Sequence, residues 1–124
     1  LSPNSFGLFM ATAAYSPEGA AWADALVNYL DGNRRLFDTG VNAIPGLKSM
    51  DLEATYLSWV SFEDTGMARE EFTRRVEQDA CIAVNHGPTF GKGGENWLRF
   101  NIATPRSRVQ EAVERLAVAF GDLQ

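Results

Sequence analysis

Trp22, Ala25, Leu26, Tyr29, Leu30, Asn33 and Phe37 recur at steps of three and four residues, drawing one largely apolar stripe and leaving Asp24, Asp31, Arg34 and Arg35 off it. That spacing belongs to a helix with one buried face. The segment Ser16-Pro17-Glu18 opens it well: Ser16 can cap, Pro17 stands where the missing N–H does no harm, and Glu18 meets the positive end of the dipole. Gly32 lies inside the pattern and costs about 1 kcal/mol relative to alanine. Because the stripe continues past it, one long helix over residues 17–39 is expected in preference to a break at Asp31-Gly32.

Residues 5–15 include Phe6, Leu8, Phe9, Met10, Ala11, Ala13, Ala14 and Tyr15, and read as a second helix with no matching polar face. Such a surface packs on something else. Ile44-Pro45-Gly46 closes the helical region, because Pro45 pushes its neighbour out of helix and Gly46 accepts a turn. A short strand near residues 47–50 follows, then a strand over 55–62, where Thr55-Tyr56-Leu57-Ser58-Trp59-Val60-Ser61-Phe62 is rich in β-branched and aromatic side chains. Phe72 and Val76, four apart among charges, predict a surface helix over 64–79. Residues 81–84 read as a short buried strand.

Residues 97–103 alternate: Leu98, Phe100 and Ile102 point one way, Trp97, Arg99 and Asn101 the other. Thr104-Pro105 then caps and starts a last helix, with Val109, Ala112, Val113, Leu116 and Phe120 as its buried stripe and Gly121 ending it. The order predicts an α+β fold, a small antiparallel or mixed sheet with helices on one face, preceded by the long helix. At 124 residues there is room for one domain and one modest core. The opening Leu1-Ser2-Pro3 starts in mid-pattern, as a fragment would.

Charge narrows the partners. The net charge is −5, and the eleven basic residues, two lysines and nine arginines, are scattered among acids, so no positive face exists to neutralise a phosphate backbone. Nucleic acid is therefore not expected as a partner. No run is apolar enough to span a bilayer and no export signal opens the chain, so a cytoplasmic protein that does not engage membranes is expected. The single Cys81 cannot form an internal bridge and, within an apolar run, reads as a small buried hydrophobe.

Arg99 is the most informative residue. It stands mid-strand, opposite the core-facing positions, where its fork could take a carboxylate bidentately; Trp97 would form a wall and Asn101 a further polar contact. On spacing alone, an arginine paired with Glu53 or Glu95 on an open sheet face is the favoured reading. The loop Gly87-Pro88-Thr89-Phe90-Gly91-Lys92-Gly93-Gly94 is not a nucleotide loop: three residues rather than four precede Gly91-Lys92, and Gly93 follows instead of Ser or Thr. It reads as a mobile turn that could also act as a flap on the substrate side. His86, the only histidine, has no second histidine and no nucleophile arranged with it, which favours a structural role over acid–base work. No cluster with metal-ligand spacing occurs. Lys48 and Lys92 are the only candidates for a Schiff base, and both lie in turn-like contexts.

Taken together, Ala13-Ala14-Tyr15, Trp22, Tyr29-Leu30 with Asn33-Arg34, Ile44-Pro45-Gly46, Thr55-Tyr56-Leu57-Ser58-Trp59, Gly87 to Gly94, and Leu98-Arg99-Phe100-Asn101-Ile102-Ala103-Thr104-Pro105 resemble the C-terminal part of class I/II aminotransferase-fold enzymes. Within these the run is most similar to the cystathionine β-lyase branch, which cleaves carbon–sulfur bonds, and the likeness covers nearly the whole chain. The resemblance implies a fold-type I enzyme using pyridoxal 5'-phosphate, in which a large domain holds the cofactor and this small domain closes over an amino-acid substrate. It implies that Arg99 binds the substrate α-carboxylate, with Asn101 and Tyr56 as further substrate-binding residues, and that the full enzyme is a homodimer. Residues 1–16 would then belong to the large domain, 17–39 would form a bridging helix and 40–124 the small domain. The chain departs from the pattern at His86, where the family often has proline, and at Asn96, where it often has glycine. The cofactor lysine, the aspartate for the pyridine nitrogen and the phosphate-binding residues have no counterpart here, so the chain alone should not catalyse. The alternative from another class is a self-sufficient α+β module that binds amino acids or a protein without chemistry. A severed domain would expose the apolar patch of residues 6–15 and self-associate, whereas a module would not.

Overall fold

The structure, a computed structural model, describes residues 4–123. The reading of Leu1-Ser2-Pro3 lies outside the described residues. Contacts divide the chain into two compact units, one ending at Asp31 and the other beginning at Gly32.

The first unit holds helix α1 (Ser5–Ala14) and the first half of helix α2 (Pro17–Asn42). Asn4 caps α1, its side-chain oxygen accepting from the Gly7 N–H at 2.7 Å. Ser16 caps α2 as expected, accepting from the Gly19 N–H at 3.1 Å, and Glu18 lies in the first turn. The corner between the helices needs glycine, because a Cβ on Gly19 would stand 2.1 Å from the Ala14 carbonyl oxygen. Helix α1 buries none of its residues: Phe6 and Phe9 are 73% and 76% exposed.

Helix α2 runs unbroken through Gly32, as the stripe predicts, and ends three residues later than expected. The stripe itself is buried only in part. Trp22, Leu26 and Tyr29 are exposed, while Asn33, Phe37 and Val41 are buried.

The second unit is an antiparallel sheet of β1 (Lys48–Ser49), β2 (Leu57–Ser61), β3 (Asn85–His86) and β4 (Trp97–Asn101), in the order β1-β2-β4-β3. Ser58 and Val60 of β2, with Leu98 and Phe100 of β4, face the core, where the end of α2, helix α3 (Arg69–Arg74) and helix α4 (Arg106–Ala119) pack on them. Phe62 stacks on Phe72 at 4.7 Å and tilts against Phe120 at 5.6 Å, closing the centre of this layer. Each such side chain contributes roughly 1.5–3 kcal/mol by leaving water. The fold is α+β, as predicted, and the sheet is wholly antiparallel.

Asn33 ties α2 to the segment after β4. Fully buried, its Nδ2 donates to the Ile102 and Thr104 carbonyls at 2.9 Å each, while its Oδ1 accepts from Arg106 Nε at 3.2 Å.

Four local expectations are corrected. The surface helix over 64–79 is interrupted at its start: a 3-10 turn, Glu63–Thr65, ends at Gly66 in the left-handed region (φ 66°), and α3 begins only at Arg69, passing into a π turn over Arg75–Asp79. Phe72 and Val76 are nonetheless both fully buried, so the period was right and the start wrong. Residues 81–84 form no ladder; pairing begins at Asn85. Cys81 is exposed and takes a left-handed φ of 53°, because the chain must reverse there between the π turn and the sheet edge. Finally, Thr104 does not cap α4, whose N-cap is Pro105 with no side-chain bond.

Candidate carboxylate site

Arg99 lies in the middle of three strands. The register sets Trp59 of β2 and Asn85 of β3 opposite it, so the three side chains form a row on the sheet face turned away from the core. Arg99 Nη2 donates to Asn85 Oδ1 at 3.0 Å. The guanidinium carbon stands 4.3 Å from the centre of the Phe90 ring, and that ring meets Trp59 edge-on at 5.1 Å. Nε is buried without a hydrogen-bond partner. Among the described residues no carboxylate pairs with Arg99, and Glu53 and Glu95 are both exposed.

The pairing favoured on spacing alone therefore does not form. The guanidinium's own contacts are Asn85 and Phe90, with Trp59 behind the ring, while Trp97 lines the neighbouring cleft. Neighbours two positions along one strand lie about 6.6–6.8 Å away, whereas directly opposed residues sit about 4.5–5.5 Å apart. Cross-strand partners, invisible without the register, reach the guanidinium first. Phe90 was detectable only as an aromatic inside a glycine-rich loop, and Asn85 as a polar residue just before it.

Phe90 is delivered by residues 87–94. A 3-10 turn over Gly87–Phe90 is closed by Gly91 N–H on the Pro88 carbonyl at 3.2 Å, and Gly91 and Gly93 take φ of 120° and 96°. At the loop base Gly87 and Gly94 touch backbone to backbone: a Cβ on Gly87 would fall 2.0 Å from the Gly94 carbonyl oxygen. The loop, Met50, Trp59 and Trp97 bound an open cleft of about 280 Å³ with Lys92 on its rim.

Asn101 shares the Arg99 face by alternation, but its Oδ1 accepts from the Ala103 N–H at 2.9 Å. Tyr56, 43% exposed, precedes β2 with its carbonyl accepting from the Ile102 N–H at 3.0 Å. No hydrogen bond joins either to Arg99. His86 pairs with Leu98 and so belongs to the other face, where Nε2 lies 2.8 Å from Glu77 Oε1. Lys48 and Lys92 are exposed, on an edge strand and in the loop. Among the described residues no group of three or more His, Cys, Asp or Glu could hold a metal, and no helix is long and apolar enough to cross a membrane.

A four-stranded antiparallel sheet with helices on one face matches the small-domain architecture of PLP-dependent aminotransferases and carbon–sulfur lyases, and the chain is similar to that part of those enzymes. It is 28% identical to the cystathionine β-lyase PatB of Bacillus subtilis over 94% of this chain and 30% of that protein. It is 30% identical to the protein MalY of Escherichia coli over 93% of this chain and 30% of that one. Cystalysin from Treponema denticola, whose structure contains pyridoxal 5'-phosphate, superposes with a TM-score of 0.87 at 30% identity, covering all of this chain and 32% of cystalysin. The chain thus spans about three tenths of the length of the curated relatives it matches. No family model matches it.

Proposed function

We propose that this chain is the substrate-closing small domain of a PLP-dependent aminotransferase or carbon–sulfur β-lyase acting on amino acids, and that Arg99 binds the substrate α-carboxylate. One observation carries the reading: a guanidinium on the bare sheet face, held by Asn85 and Phe90, has no carboxylate partner among the described residues. An arginine so placed offers parallel donors that match a carboxylate and fix its plane, which orients the α-carbon for chemistry performed elsewhere. We assign further substrate contacts to Asn101, which shares the Arg99 face by alternation, and to Tyr56, just before β2.

The residues present do not fit the cofactor itself. Both lysines are exposed and neither lies in an enclosed pocket. We assign the cofactor to a larger domain, matching the remaining seven tenths of the relatives, and assign to that domain the covering of Phe6, Phe9 and Tyr15. A homodimeric, cytoplasmic enzyme accords with this reading.

The test is Arg99→Lys and Arg99→Ala in the cofactor-loaded polypeptide that contains this chain. Loss of charge-assisted bonds worth about 1.5–3 kcal/mol should weaken amino-acid binding roughly 10- to 150-fold in the alanine variant. Arg99→Lys, which keeps charge but not the fork, should fall between. Unchanged kinetics in both overturns the assignment.

A further inference from the structure

The polar atoms of Arg99 are unequally available. Nη2 is engaged by Asn85 and Nε is buried, so the side-on pairing through Nε and Nη2 is closed. Nη1 makes no hydrogen bond among the described residues and is not among the buried unpartnered atoms. The edge left for a carboxylate is the end-on one, led by Nη1.

What holds the fork in this attitude is the ring of Phe90, 4.3 Å from the guanidinium carbon and braced edge-on against Trp59. The ring is half-exposed, so it is not a core anchor of the sheet. The loop carrying it is anchored: Gly87 and Gly94 approach so closely that no Cβ fits at either, Thr89 Oγ1 donates to the His86 carbonyl at 2.6 Å, and Trp97 N–H to the Gly94 carbonyl at 3.1 Å. We propose that Phe90 is a positioning residue for Arg99: its π face holds the guanidinium against Asn85, shields Nε, and leaves the end-on edge as the carboxylate site. This rests on the reading of Arg99 given above.

The experiment compares Phe90→Leu, which keeps apolar bulk without a π face, with Phe90→Tyr, which keeps the face. The ligand-free readout is solvent exchange of the Arg99 Nε–H, followed by NMR. Slow exchange in the parent and Phe90→Tyr, with faster exchange in Phe90→Leu, is the expected result. The second readout is affinity for L-alanine as a carboxylate probe in the cofactor-loaded polypeptide containing this chain. A cation–π contact at a partly exposed site corresponds to about a two- to fivefold loss in Phe90→Leu, restored in Phe90→Tyr. Equal Nε–H exchange in all three proteins overturns the proposal, whatever L-alanine does. If Arg99→Lys also leaves L-alanine affinity unchanged, the carboxylate reading fails instead, while the exchange data still decide whether Phe90 positions the side chain. Circular dichroism on Phe90→Leu checks that the fold is intact, as expected for a half-exposed residue.

Discussion

Replacing Asn33 by alanine should cost more stability than its small size suggests. The side chain is fully buried and donates two hydrogen bonds of 2.9 Å, to Ile102 and Thr104, while accepting a third from Arg106. Alanine removes both donors and strands two carbonyls, the Ile102 oxygen in a buried setting and the Thr104 oxygen in a partly buried one. At about 1 kcal/mol net per bond, rising to about 1–3 kcal/mol where a buried group stays unsatisfied, the loss is about 2–4 kcal/mol. That is a large share of the roughly 5–15 kcal/mol that holds a domain together. Urea unfolding followed by circular dichroism, with a slope of about 2 kcal/mol per molar, should show the midpoint falling by about 1–2 M with the slope unchanged. Asn33→Asp should do worse near neutral pH, because it points a carboxylate oxygen at two carbonyls. A midpoint for Asn33→Ala within about 0.3 M of the parent would refute the reasoning, since the clamp would then contribute almost nothing.

Two further perturbations test other parts of the fold. Gly40→Ala should destabilise by about 1–3 kcal/mol despite the better helix propensity of alanine, because the new Cβ would meet Val113 Cγ1 at 2.2 Å. Adding Val113→Ala should recover part of that loss in a double-mutant cycle, and additive effects would sink the close-approach explanation. Glu71, paired with Arg74 and Arg75, has its pKa drawn down to about 2. A carboxyl depressed in the folded state favours folding above its unfolded value and loses that favour as pH falls through the folded one. Stability should therefore decline between about pH 4.5 and pH 2, and Glu71→Gln should flatten this acid limb; superimposable stability–pH profiles for the two proteins would count against it. The contribution is modest and salt-sensitive, because the Glu71 and Arg74 side chains are about two-fifths exposed.

Local pattern carried much of this molecule. The three-to-four residue spacing of α2 and α4, the alternation of β4 and the cap at Ser16 are properties of neighbouring residues, and the structure follows each of them. The placement of Arg99 opposite Leu98 and Phe100 needed only the period of two. Where the chain reverses, pattern failed. Gly66 cuts off the start of a helix whose period was read correctly, and Cys81 sits exposed in a left-handed bend that its apolar neighbours conceal.

The residues around Arg99 were decided by tertiary structure alone. Asn85, Phe90 and Trp59 come from two other strands and a loop, brought together by the β2-β4-β3 register and by the backbone contact of Gly87 with Gly94. Asn33 was visible as a member of a helical stripe, but its bonds to carbonyls some seventy positions away arise only once β4 and α4 are in place. Spacing along a chain reports which way a side chain faces; what it faces depends on packing between distant segments, and no local period encodes that.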